Sequence, residues 1–78
     1  MTGEQNIVGP QIRKIRYAKG WTQDMLAAKL ATVAKWDISR GMLSKIEAGL
    51  RCVTDAELLC FSKVLKVEIR ELYPNWKS

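Results

Sequence analysis

Charged and hydrogen-bonding side chains gather in one part of this chain, while the groups needed for covalent or metal chemistry are scarce. Nine basic residues (Arg13, Lys14, Arg16, Lys19, Lys29, Lys35, Arg40, Lys45, Arg51) stand against three acidic ones, Asp24, Asp37 and Glu47, between positions 13 and 51. The rest of the chain carries a slight negative excess. A concentrated basic stretch suits a polyanionic partner, although a surface that is basic only for solubility has the same charge. The densest set is Ser39-Arg40-Gly41-Met42-Leu43-Ser44-Lys45-Ile46. On a helix, Leu43 and Ile46 share one side and leave Arg40, Gly41, Met42, Ser44 and Lys45 outward. Covalent chemistry has little support. Histidine is absent, and Cys52 and Cys60 stand eight apart, a spacing that fits no zinc pattern and leaves too few ligands for a closed site. With no nucleophile motif and no Gly-rich phosphate loop, neither an enzyme nor a cofactor or metal is expected. Cys60 reads as packing, and both thiols as free.

A chain of 78 residues has room for one domain. Its composition, 47% hydrophobic and 27% charged with two Pro and five Gly, is that of a folded globule rather than a disordered segment. No apolar run approaches the ~18 residues of a membrane span and no leader is evident, so a reducing cytoplasmic location is expected and no membrane contact.

The elements that must position the basic set are all helical. Residues 1–9 read as a flexible N-terminal arm and 10–78 as the domain. Gly9-Pro10 starts a first helix to Lys19, with Ile12 and Ile15 inward and Gly20 as terminator. Thr22 caps a second helix, with Leu26, Leu30 and Val33 as its apolar stripe, running to about Ala34. Lys35-Trp36-Asp37 forms a connector. Ser39 caps a third helix to about Ala48, with Leu43, Ile46 and Leu50 inward and Gly49 closing it. Thr54 and Glu57 have capping-box spacing and open a fourth helix carrying Leu58, Phe61 and Leu65. A short fifth helix spans Glu68 to Tyr73, and Pro74 stops it. The sum is a compact all-α domain.

Two stretches, Thr22-Gln23-Asp24-Met25-Leu26-Ala27-Ala28-Lys29-Leu30 and Ile38 through Arg51, resemble the lambda-repressor-like, Xre/Cro-type family of helix-turn-helix regulators. The resemblance runs from about Ile12 to Leu72, including the opening Ile12-Arg13-Lys14-Ile15-Arg16 and the closing Leu65 to Leu72. It implies a five-helix fold, a bacterial or phage protein near the nucleoid, and double-stranded DNA as partner, with the third helix entering the ~12 Å major groove. Arg40, Gly41, Met42, Ser44 and Lys45 are then candidates for base contact. Arg40 and Lys45 can donate to guanine O6 and N7, and Met42 can meet a thymine methyl. Thr22, Gln23, Lys35, Ser39 and Arg51 are candidates for phosphate, with Lys14 and Lys19 weaker ones.

Glu47 lies beside the inward face, where an unpaired carboxylate is costly. In similar domains an arginine of the first helix supplies the cation, which implies a structural Arg16–Glu47 salt bridge; an exposed Arg16 on phosphate is the rival. The chain departs from the family in a longer segment at 31–37, where Trp36 is expected as a packed lid over the junction of helices two and three. Lys66 replaces a common Gly, so the turn after helix four is expected to differ. Leu72, Tyr73 and Trp76 serve either a homodimer interface or the edge of the core. The implied function is transcriptional regulation, with repression favoured; the alternative is a protein-interaction module on the same fold, such as an antitoxin or regulatory subunit.

Overall fold

A helix leaves its first backbone N–H groups without partners, and short hydroxyl side chains are well placed to accept from them. The computed structural model describes residues 6–74, and in it three helices begin this way. The Thr22 hydroxyl accepts from the Met25 N–H at 3.1 Å, Ser39 from Met42 at 3.1 Å and Thr54 from Glu57 at 3.2 Å. They open α2 (Gln23–Val33), α3 (Arg40–Glu47) and α4 (Asp55–Leu65). Glu57 completes the capping box by accepting from the Thr54 N–H at 3.1 Å. Ahead of them, α1 (Gly9–Ala18) carries Pro10 in its first turn.

Three of the helices also end alike. The Trp21 N–H donates to the Arg16 carbonyl, Leu50 to Lys45 and Val67 to Ser62, each bond closing over a residue in left-handed conformation. Those residues are Gly20, Gly49 and, after α4, Lys66 with φ +59°. The turn at Lys66 was expected to differ for lack of a glycine. It does not; the lysine takes the left-handed conformation despite its Cβ, which costs roughly 1–2 kcal/mol.

The core is formed by Ile12, Leu26, Leu30, Leu43, Ile46, Phe61, Leu65 and Leu72, all fully enclosed. α2 packs on α3 and α4, and α1 packs on α3 and α4. Trp36, half-buried in the long connector, packs against Phe61 of α4 with ring centroids 5.5 Å apart and ring planes near perpendicular. The fold is all-helical, as expected.

Four local expectations are corrected. The fifth helix, read over Glu68 to Tyr73, is a single 3₁₀ turn over Ile69–Leu72, whose last residue, Leu72, is buried in the core. Leu50 is exposed, because α3 stops at Glu47 and Gly49 turns the chain before the helical spacing reaches it. Val33, in the last turn of α2, is also half out of the core, at the rim of a depression beside Lys29 and Lys63. The packed chain begins ahead of residue 10: Val8 is buried, and Asn6 hydrogen-bonds to the Ile46 and Arg51 carbonyls. Residues 1–5 and Trp76 lie outside the described part. Leu72 belongs to the core, and Tyr73 is half-buried against it. Among the described residues, no helix is long and apolar enough to cross a membrane.

Candidate nucleic-acid interface

Burial on α3 is one-sided. Leu43 and Ile46 are fully enclosed and Glu47 is 1% exposed, whereas Arg40, Gly41, Met42, Ser44 and Lys45 all face solvent. The eight-residue helix therefore has an anchored side and a free side, and the free side holds two cations, a thioether and a hydroxyl. Gly41 leaves the backbone bare in the middle of that side. A Cβ there would meet only the Ser39 hydroxyl oxygen at 4.0 Å, so no packing within the protein demands a glycine.

The anchored side is fixed by a buried ionic knot. Arg16 Nε donates to Glu47 Oε2 at 2.8 Å and Arg16 Nη2 to Glu47 Oε1 at 2.9 Å, the two side chains being 5% and 1% exposed. The remaining guanidinium nitrogen, Nη1, donates to the Trp21 carbonyl at 2.8 Å. Gln23 Nε2 adds a bond to Glu47 Oε1 at 3.0 Å. The hydrogen bonding that Arg16 donates to Glu47 raises the Arg16 pKa further above its ordinary value, so the guanidinium stays charged. One knot thus joins α1, the start of α2 and the end of α3, and no buried side-chain nitrogen or oxygen among the described residues lacks a partner. Arg16 is enclosed in it, which leaves no exposed guanidinium there to meet a phosphate.

The residues expected near phosphate are distributed unevenly. Thr22 and Gln23 edge a shallow depression of about 430 Å³, together with Arg40. Thr22 and Ser39 are exposed at the first turns of α2 and α3, where their hydroxyls hold the capping bonds. Lys35 is exposed in left-handed conformation at the end of α2. Arg51 is engaged: Nη1 and Nη2 each donate to a Glu57 carboxylate oxygen at 2.9 Å, and Nη1 also to the Cys52 carbonyl at 3.0 Å. That hydrogen bonding from Arg51, with help from the Thr54 N–H, holds the Glu57 carboxyl below its usual 4.5. Arg40 Nε lies 3.9 Å from Asp24, with both side chains well exposed.

Among the residues of the depression that were not singled out from the sequence, two are exposed. Arg13 and Tyr17 line it beside Thr22, Gln23 and Arg40, and both are exposed. Their spacing of four was the available signal, since it places both on one face of α1, next to Arg16. Lys14 and Lys19 lie elsewhere. Lys14 is beside Pro10 and Pro74, and Lys19 joins Lys29, Lys63 and Lys66 around Trp21, in a second depression of about 330 Å³. There the Lys29 and Lys19 ammonium groups sit 4.7 and 5.4 Å from the Trp21 ring centroid.

Comparison with known proteins agrees with this architecture. The family model described as helix-turn-helix matches residues 12–72. Among solved structures, the chain is similar to the restriction-modification controller protein C.AhdI from Aeromonas hydrophila, with 30% identity and a TM-score of 0.72 over 85% of this chain and 91% of the other. No curated protein sequence matches.

Proposed function

The chain belongs to the helix-turn-helix family, in its lambda-repressor-like branch, and on that basis we propose that it is a transcriptional regulator that binds double-stranded DNA sequence-specifically through the major groove. One observation carries the reading: the outward row of α3, Arg40, Gly41, Met42, Ser44 and Lys45, faces solvent on a helix locked from behind by Leu43, Ile46 and Glu47. Arg40 and Lys45 offer the donors that match guanine, Met42 an apolar contact for thymine, and Gly41 room for close approach. Thr22, Gln23, Ser39 and the first-turn N–H groups of α2 and α3 face the sugar–phosphate backbone, with Arg13 and Tyr17 extending that track along α1. Lys35 and, once released from Glu57, Arg51 add flanking phosphate contacts.

The active form in this reading is a homodimer on a near-palindromic operator, since two-fold proteins match half-sites about one helical turn apart. Repression follows if that operator overlaps a promoter, and the similarity to a restriction-modification controller supports a regulatory role. A cytoplasmic, nucleoid-associated location goes with it.

Selection from a random duplex library tests the proposal. Enriched duplexes with paired half-sites are expected, and Arg40→Ala and Lys45→Ala should each lose about 1–3 kcal/mol of affinity for them. Gly41→Ala should stabilise the fold by about 0.5–1 kcal/mol yet weaken binding. Failure to enrich any duplex would sink sequence-specific binding.

A further inference from the structure

Asn6 precedes α1 and looks, from the sequence, like part of a loose arm. Its side chain nevertheless makes three hydrogen bonds to three different parts of the fold. Oδ1 accepts from the Gly9 N–H at 2.7 Å, in the first turn of α1. Nδ2 donates to the Ile46 carbonyl at 3.2 Å, in the last turn of α3, and to the Arg51 carbonyl at 2.7 Å, in the loop that follows. Ile46 lies too near the helix end for its carbonyl to receive the usual bond from four residues on, because the Leu50 N–H goes to Lys45 instead. That carbonyl accepts from the Gly49 N–H at 3.0 Å instead, and the Asn6 amide adds a second donor from outside the helix.

Gly9 completes the arrangement. A Cβ on Gly9 would fall 1.8 Å from the Ile46 carbonyl oxygen and 2.9 Å from Asn6 Oδ1. The backbones of α1 and α3 meet here with no space for a methyl group, the N-terminal end of one helix against the C-terminal end of the other, an orientation that their dipoles favour.

We infer that Asn6 and Gly9 are positioning residues for DNA recognition: without touching DNA, they clamp the C-terminal end of α3 and the Arg51 loop to α1, and so set the angle at which Arg40 to Lys45 meet the groove. The inference rests on the DNA-binding reading above. It assigns to residue 6 a role distinct from capping α1, and the chemistry of the amide separates the two. Asn6→Asp keeps an oxygen for the Gly9 N–H and adds a charge that a helix N-terminus welcomes. It loses both donor bonds and faces two carbonyls with a carboxylate.

The experiment compares wild type, Asn6→Asp, Asn6→Ala and Gly9→Ala. The readout is the ratio of affinity for the duplex selected by the wild type to affinity for a scrambled duplex, with thermal melting measured in parallel. A clamp predicts that the ratio falls about tenfold or more in both Asn6 variants, the scale of one lost bidentate base contact, with Asp no better than Ala. Gly9→Ala falls at least as far. A cap alone predicts that Asp matches wild type in melting and that every folded variant keeps its ratio within about twofold, and this result overturns the inference. Should Gly9→Ala not fold, the Asn6→Asp ratio decides. A wild type that itself prefers no duplex sinks the DNA reading and the clamp with it, whereas a wild-type preference retained in all variants sinks the clamp alone.

Discussion

Arg16–Glu47 and Arg51–Glu57 are both two-pronged arginine–glutamate pairs with contacts of 2.8–2.9 Å, yet they have different consequences. The first joins residues 31 apart in sequence and is almost wholly out of water. The second joins residues six apart, and its side chains are 30% and 16% exposed. Water sets the difference. A buried pair has exchanged hydration for mutual bonding, so either partner alone is stranded. A pair at the rim keeps water as a substitute, and opening it costs little. The geometry of an ion pair thus says less about its role than the medium around it: the inner one is part of the frame that holds α3, and the outer one stores a cation at the edge of the proposed DNA surface.

The largest effect expected from this contrast is on stability. Arg16→Met or Glu47→Ala should cost about 3–5 kcal/mol in urea unfolding, because each leaves an uncompensated buried charge. Replacing both, as Arg16→Met with Glu47→Leu, should recover much of that loss. Equal costs for the single and double variants would show that lost packing, not a stranded charge, is responsible.

Breaking the outer pair is milder. Glu57→Gln should lower stability by about 1 kcal/mol or less, and it should strengthen DNA binding at low salt by releasing Arg51. The salt dependence of log affinity should steepen by up to ~0.9 as one more phosphate contact forms. An unchanged slope would mean that Arg51 does not reach the DNA.

Acid gives the same comparison another edge. Because Glu57 titrates below its ordinary 4.5 in the fold, the unfolded chain takes up its proton first as acid is added. The stability contributed by this group is complete above that value and is lost as pH falls from it through the depressed one. Stability measured against pH should therefore decline over this interval in the wild type, and less steeply in Glu57→Gln. Parallel curves would contradict the assignment.

The weakest member of the series is Arg40–Asp24, at 3.9 Å between exposed groups. Asp24→Asn should change stability by less than ~0.5 kcal/mol, while removing a negative charge beside Arg40 should improve DNA affinity slightly. A marked loss of binding would reveal a positive role for this carboxylate.

Much of the frame was legible from residue types. Thr22, Ser39 and Thr54 announce helix starts because a hydroxyl near a first turn has few better uses, and Leu43 and Ile46 define an inner face by spacing alone. Spacing misled where the helix had already ended: Leu50 is four after Ile46, but the left-handed Gly49 intervenes. The 3₁₀ turn at Ile69 was hidden because its apolar spacing of three fits either helix type. Asn6 was illegible for a deeper reason. Its partners are backbone carbonyls 40 and 45 residues away, and a carbonyl looks the same whatever side chain it carries. Arg13 and Tyr17 were visible as neighbours on α1, but not as neighbours of Thr22 and Arg40, which required the packing of α1 on α3.

Gln23 shares Glu47 Oε1 with Arg16 Nη2, and that redundancy matters when a ligand arrives. If the amide rotates outward to a phosphate, the carboxylate oxygen is still bonded to the guanidinium, so nothing inside the protein is left wanting. The residue behaves like a latch resting against a wall that stands without it: parked in the free molecule, available to a newcomer, and removable without loosening the masonry.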